Sequence, residues 1–262
     1  MGEIENGPCR HCGGTGFVIL GEGAAGLARP CDCRRAARGR PADVHEFLEA
    51  ARIPRRYHEC DFENYAADYR PQQLSLQGAK ERAKRYAEEY PLSDRGLLLM
   101  GPPGVGKTHL AVATLRRLAL EKGVPCMFCD VQDVLRRLQA TFDRQSGMSE
   151  LDLLQPVLQT EVVLLDDLGG RQFRPWVEET LSHIVTTRYN EGRATLVTTN
   201  YMDEPREKGD PTLKDRIGPR VHSRLQEMCH FIKVEAEDFR VEIMRADHHW
   251  LSKRVEHPKE NA

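Results

Sequence analysis

Residues 101–108 read GPPGVGKT, set between an apolar run, LLLM at 97–100, and a helical pattern over 107–122. This pattern, G-x-x-x-x-G-K-[ST] between strand and helix, constrains the fold more than anything else in the chain. Its glycines let consecutive backbone N–H groups curl around a phosphate chain, at the positive end of the helix that follows. The expected cradle runs through Gly101, Pro102, Pro103, Gly104, Val105, Gly106, Lys107, Thr108 and His109. Lys107 is expected on the β- and γ-phosphates, with the Thr108 hydroxyl on Mg²⁺. The ligand so implied is a nucleoside triphosphate.

The remaining apolar runs support the fold that such a loop requires. They lie at 126–131, 162–167, 194–200 and 229–234 and, like 97–100, are short and apolar throughout, as in strands buried on both faces of a parallel sheet. Helical patterns at 131–145, 150–159 and 175–191 alternate with them, and another at 72–89 precedes the first. The expectation is an α/β, doubly wound sheet of five parallel strands. No apolar run approaches the roughly 20 residues that span a bilayer. The opening MGEIENG lacks the basic patch and apolar core of a signal peptide, so a soluble, cytoplasmic protein is expected.

The run LLDDLGG at 164–170 ends an apolar strand with two acids, about 60 residues after the loop. Asp166 stands where a P-loop protein holds its Mg²⁺ through water, and Asp167 could polarise the water that attacks the γ-phosphate. The bland alternative is a pair of strand-end acids capping a turn. In an additional-strand P-loop fold, the strand ending LVTTN lies between the loop strand and the acid strand. That puts Asn200 near the γ-phosphate, as in sensor 1 of the AAA+ ATPases, unless it is a turn residue. In GPRVHSRLQEM, Arg220 and Arg224 are four apart on one helical face, where AAA+ proteins carry an arginine finger that acts in trans. Arg224 is expected to be the finger, with Arg220 supporting it; surface ion pairing is the alternative. Arg240, in EDFR, is a sensor-2-like arginine.

Taken with IPRRYHECDFENY at 53–65, these motifs resemble the DnaC/DnaI helicase-loader family, to which the transposition helper IstB is closely related. The resemblance covers roughly residues 50–250. It implies a slow ATPase that loads a replicative DnaB-type helicase, binds single-stranded DNA and forms a homo-oligomer through its ATP sites. It also implies that Tyr57 and Phe62 border the adenine. Only 28 residues, 235–262, follow the last strand, with one helix expected over 237–254. The helical lid is then reduced, as in the loader family, and a neighbouring subunit must complete the site.

Four of the eight cysteines fall within residues 9–33. Cys9-x₂-Cys12 and Cys31-x-Cys33 suit a closed tetrahedral zinc site, with redox-active thiols as the alternative and His11 as a substitute ligand. Loaders of the DnaI type carry such an amino-terminal module against the helicase, whereas IstB proteins generally do not. Cys126 and Cys129 lie within a strand and are read as core thiols on opposite faces. The expected organisation is a zinc module over 1–40, a linker over 41–70 and an AAA+ domain over 71–262. Five arginines against one aspartate at 29–40 suit an acidic partner or nucleic acid, or simply a solvated segment. Two other functions stay open: an IstB-like helper assembling on duplex DNA, and an adaptor that binds ATP with negligible hydrolysis.

Overall fold

The computed structural model describes residues 17–20, 27–30, 44–67, 73–92, 95–141, 150–171 and 174–241. Strands β1 (Phe17–Leu20) and β2 (Leu27–Pro30) form an antiparallel hairpin, Phe17 opposite Pro30 and Leu20 opposite Leu27. The hairpin lies within the 18 residues framed by the two cysteine pairs. Cys9, His11, Cys12, Cys31 and Cys33 lie outside the described residues, as does most of the tail helix expected over 237–254.

The remaining elements are α1 (Val44–Ala50), α2 (Gln73–Glu89), β3 (Gly96–Met100), α3 (Lys107–Lys122), β4 (Cys126–Asp130), α4 (Val131–Thr141) and α5 (Glu150–Gln159). Then come β5 (Val162–Asp166), α6 (Pro175–Asn190), β6 (Thr195–Thr199), α7 (Leu213–Ile217), α8 (Pro219–Met228) and β7 (Cys229–Lys233). The strands form one parallel sheet in the order β4-β5-β6-β3-β7. Strand β6 therefore lies between the loop strand β3 and the acid strand β5, which lines their carboxyl ends up on one edge. In open α/β sheets that edge is where ligands bind.

Each strand's burial follows from its place. The three inner strands, β3, β5 and β6, are buried at every residue. The edge strand β7 alternates, with His230 and Lys233 exposed, so it departs from the expected uniform burial. The other edge, β4, is covered: Phe128 N–H donates to Ala51 O at 2.8 Å, just past the end of α1. An edge strand capped in this way offers fewer free backbone groups to another chain.

Two apolar layers enclose the sheet. One gathers Phe128, Leu97, Leu99 and Leu164 with the inner faces of α1, α2 and α3; the other sets Leu98, Leu165 and Val197 against α4 to α8. Phe47, Ile53, Phe62 and Tyr65, within the stretch expected to be a linker, belong to the first layer. Cys126 falls in the first layer and Cys129 in the second, so they are packing thiols on opposite faces. Burial pushes the Cys129 thiol up to about 12 and Cys126 higher still, which leaves both unreactive.

One buried cation ties the layers together. Arg188, fully buried on α6, donates to Val157 O and Thr160 O at 2.8 Å, to Ala194 O at 2.5 Å and to Thr195 Oγ1 at 3.0 Å. It thereby ties the carboxyl end of α5 to the start of β6 through their carbonyls.

Candidate nucleotide-binding site

The loop from Gly101 to Gly106 leads from β3 into α3 through two residues with left-handed backbone. Gly104 has φ +77° and Gly106 φ +88°, and both positions are sterically closed as well as conformationally special. A Cβ on Gly104 would lie 1.7 Å from Asp238 Oδ1, and one on Gly106 would lie 2.5 Å from the Tyr65 ring. Tyr65 fixes the loop from behind, its hydroxyl donating to Val105 O at 2.9 Å. Gly106 is also the N-cap of α3, with no side chain bonded to the first turn and no acid within it. The free N–H groups and positive dipole end therefore face the cleft uncompensated, as an anion site requires.

Lys107 is 7% exposed and spends its three protons close to home. It donates to Gly101 O at 2.9 Å, Pro102 O at 2.7 Å and Asn200 Oδ1 at 2.8 Å. These acceptors satisfy its geometry but carry no full negative charge. Burial therefore outweighs the pull of Asp166 and Asp167, and the ammonium's pKa is lowered to about 8. A phosphate entering the loop would supply the missing anion.

The acid pair divides into two environments. Asp166, at the end of β5, accepts at Oδ1 from Thr108 Oγ1 (2.9 Å) and Thr198 Oγ1 (2.6 Å). Its pKa is raised by burial against the opposing effect of those hydroxyls. Asp167 has left the strand with φ +55°, a left-handed conformation that costs a non-glycine residue about 1–2 kcal/mol. Several contacts hold it there. Its N–H donates to Thr198 Oγ1 at 3.0 Å, its carbonyl accepts from Gln132 Nε2 at 3.2 Å, and its Oδ1 accepts from Asn200 Nδ2 at 2.8 Å. Burial, then Asp166 beside it, raises its pKa. Asn200 thus bridges Lys107 and Asp167, joining loop and acid through one amide. The turn-capping alternative for the acids gives no reason for those links.

A cleft of about 620 Å³ opens over these groups, lined by Tyr57, Pro103, Gly104, Lys107, Thr108, His109, Asp166, Asp167, Asn200 and Arg240. Tyr57 sits with its hydroxyl near Thr108, and burial, then Asp166, raises its pKa. Its ring packs 6.0 Å from Phe128. Phe62, expected beside it at the adenine, is instead fully buried under the Arg117 guanidinium, because the turn at 61–64 points it into the first layer. His109 lines the cleft, while its Nε2 donates to Asp61 O at 2.7 Å. Arg240 arrives on the segment after β7, which crosses the loop through Phe239 N–H donating to Gly104 O at 3.2 Å. Arg220 is exposed and Arg224 half-buried on α8, and neither lines this subunit's own cleft.

Five lining or supporting groups are not expected from the sequence: Thr198, Gln132, Arg56, Cys60 and Phe239. Thr198 had a signal, being a hydroxyl two residues before Asn200 in a strand buried at every position. Gln132 had none. For Mg²⁺ the donors present are hard oxygens, Thr108 Oγ1 and Asp166, at the mouth of a helix amino terminus, and they fit that ion. Among the described residues there is no cluster of three or more metal-ligating side chains, and no helix is long and apolar enough to cross a membrane.

Comparison with known proteins matches residues 40–246 to the family model of IstB-like ATP binding proteins. The replicative helicase loader DnaC of Buchnera aphidicola subsp. Schizaphis graminum is 29% identical over 183 residues, 70% of each chain. DnaC of Escherichia coli (strain K12) is 29% identical over 171 residues, 65% of this chain and 64% of that one. The chain thus spans a little under two thirds of the latter relative. The crystal structure of a DnaC helicase loader superposes with a TM-score of 0.58 at 33% identity, covering 70% of this chain and all of that one.

Proposed function

The chain belongs to the IstB-like ATP-binding protein family and is of the DnaC type, and from that premise we propose that it is an ATP-dependent loader of a replicative DNA helicase. The observation that carries the ATP-dependent part is the hydrogen-bonded chain Lys107–Asn200–Asp167, beside Thr108–Asp166. It links every group needed to bind a γ-phosphate and to respond to its loss. Lys107 and the α3 amino terminus would bind the phosphates, with Gly101 to His109 forming the wall. Thr108 and Asp166 would hold Mg²⁺, which would neutralise charge on the phosphate oxygens. Asp167, oriented by Asn200, would accept a proton from the attacking water. Its raised pKa suits a group that must take up a proton near neutral pH.

Arg224 would act on the neighbouring subunit's nucleotide, with Arg220 beside it and Arg240 reaching the phosphates within its own subunit. This makes the active form a homo-oligomer and the isolated subunit a slow ATPase. Single-stranded DNA would be the track on which it assembles. Cys9, Cys12, Cys31 and Cys33 would bind one Zn²⁺ and form the helicase contact. A second reading, an IstB-like helper assembling on duplex DNA, rests on the family match over 40–246.

Turnover measured against protein concentration, with and without single-stranded DNA, tests the proposal. It should rise more steeply than linearly and be stimulated by the DNA. Arg224→Ala and Lys107→Ala should each be inactive yet partly restore turnover when mixed, because an intact loop then meets an intact arginine. Negligible turnover at every protein concentration, with or without DNA, would leave an ATP-binding adaptor as the better account.

A further inference from the structure

Helix α8 carries Arg220 and Arg224, and between them stands His222, a buried polar side chain on the helix's inward face. It is 7% exposed, among Val221, Leu225 and Met228. Its Nε2 lies 2.5 Å from Asp203 Oδ1, and since a carboxylate only accepts, the ring nitrogen donates. The ring meets Phe231 of β7 edge-on at 6.1 Å between centroids. Asp203 comes three residues after Asn200 in the same loop. That loop is anchored by buried Met202, whose carbonyl accepts from Leu213 N–H, at the start of α7, at 2.8 Å. Asp203 also lines a second cleft, about 820 Å³, whose walls include Pro102 of the phosphate loop.

We propose that the Asp203–His222 bond is a strut that positions α8, and with it Arg224, for the neighbouring subunit's nucleotide. The inference rests on the reading of Arg224 as acting in trans. The physical case begins with what an apolar helix face can and cannot fix. Val221, Leu225 and Met228 hold α8 against the core but tolerate small slides and rotations. A hydrogen bond to a carboxylate is directional and resists both. His222 is buried while Asp203 is partly open, and such a polar contact on an otherwise apolar helix face is better understood as setting register than as adding stability. The far end of the strut is the Asn200 loop, and Asn200 itself holds Lys107 and Asp167, each at 2.8 Å. Asn200, at the phosphate site, and Asp203, at the end of the strut, therefore belong to one loop.

The test uses the full chain with ATP and single-stranded DNA. His222→Leu keeps the packing and removes the donor; Asp203→Ala removes the acceptor. Both should lower kcat about tenfold while leaving the ATP KM within about twofold. His222→Gln, which keeps a donor near the Nε2 position, should retain most activity. Mixing His222→Leu with Lys107→Ala should partly restore turnover, since an intact loop then meets a correctly placed arginine. A subunit damaged in its own site or simply unstable would not be rescued. If His222→Leu fails to fold, Asp203→Ala, on a partly open side chain, carries the same test. The strut is overturned if KM rises with the loss of kcat, or if mixing restores nothing while an Arg224→Ala and Lys107→Ala mixture recovers. If that control mixture also stays inactive, the trans reading of Arg224 falls, and the strut with it.

Discussion

Lys107 shows how one residue can be held ready and destabilised together. Its ammonium is buried against carbonyl oxygens, and its pKa of about 8 reflects a site built for an anion. Bound phosphate would raise that value, so the free and bound sites differ in proton occupancy only above pH 8. Below it, Lys107 is charged in both and contributes no pH dependence. Above it, binding must take up a proton, so affinity falls as pH rises, by up to about tenfold per unit. Isothermal titration at pH 7 and pH 9 should show ATP binding about tenfold weaker at the higher pH, a difference that Lys107→Arg should reduce. Asp167→Asn should leave ATP affinity near normal and abolish turnover, read by nucleotide titration and phosphate release. The loop and both acids were legible in the sequence because their spacing is local and their chemistry specific. The left-handed backbone of Asp167 was not, because Thr198 and Gln132 hold it from other elements.

Among the elements, those buried on both faces were the easiest to read. β3, β5 and β6 lie within one residue of their expected bounds, and α3 and α5 match them. The short helix α7 was missed although its start is written in the chain. Thr212 and Asp215 form a capping box, each side chain accepting from the other's backbone N–H. Five residues were too few for periodicity to register. Arg188 was unreadable for a different reason: its acceptors come from α5, the turn after it and the approach to β6. Arg188→Met should remove the buried hydrogen bonds to Val157 O and Thr195 Oγ1 along with those to Thr160 and Ala194, and cost about 3 kcal/mol. Urea unfolding would register this as a lower midpoint at unchanged slope. ATP affinity of the folded fraction should be unaffected, because Arg188 is remote from the cleft.

The whole molecule joins a phosphate site complete in its binding groups to an arginine helix turned away from it. On the proposed reading, assembly would be the natural control point, since Arg224 would complete a neighbour's site. The proposal also gives the amino-terminal cysteines a zinc-dependent role in binding the helicase. Purified protein should carry about one zinc per chain by atomic emission, and removing it should abolish helicase binding while leaving ATP affinity intact. The central claim is tested most directly by loading itself. The protein would be incubated with the replicative helicase of its own host, ATP and circular single-stranded DNA, and DNA-bound helicase recovered by gel filtration. Loading should require ATP and fail with Lys107→Ala. The contradicting result is a helicase that never associates with the protein, while the protein itself assembles on duplex DNA when ATP is present.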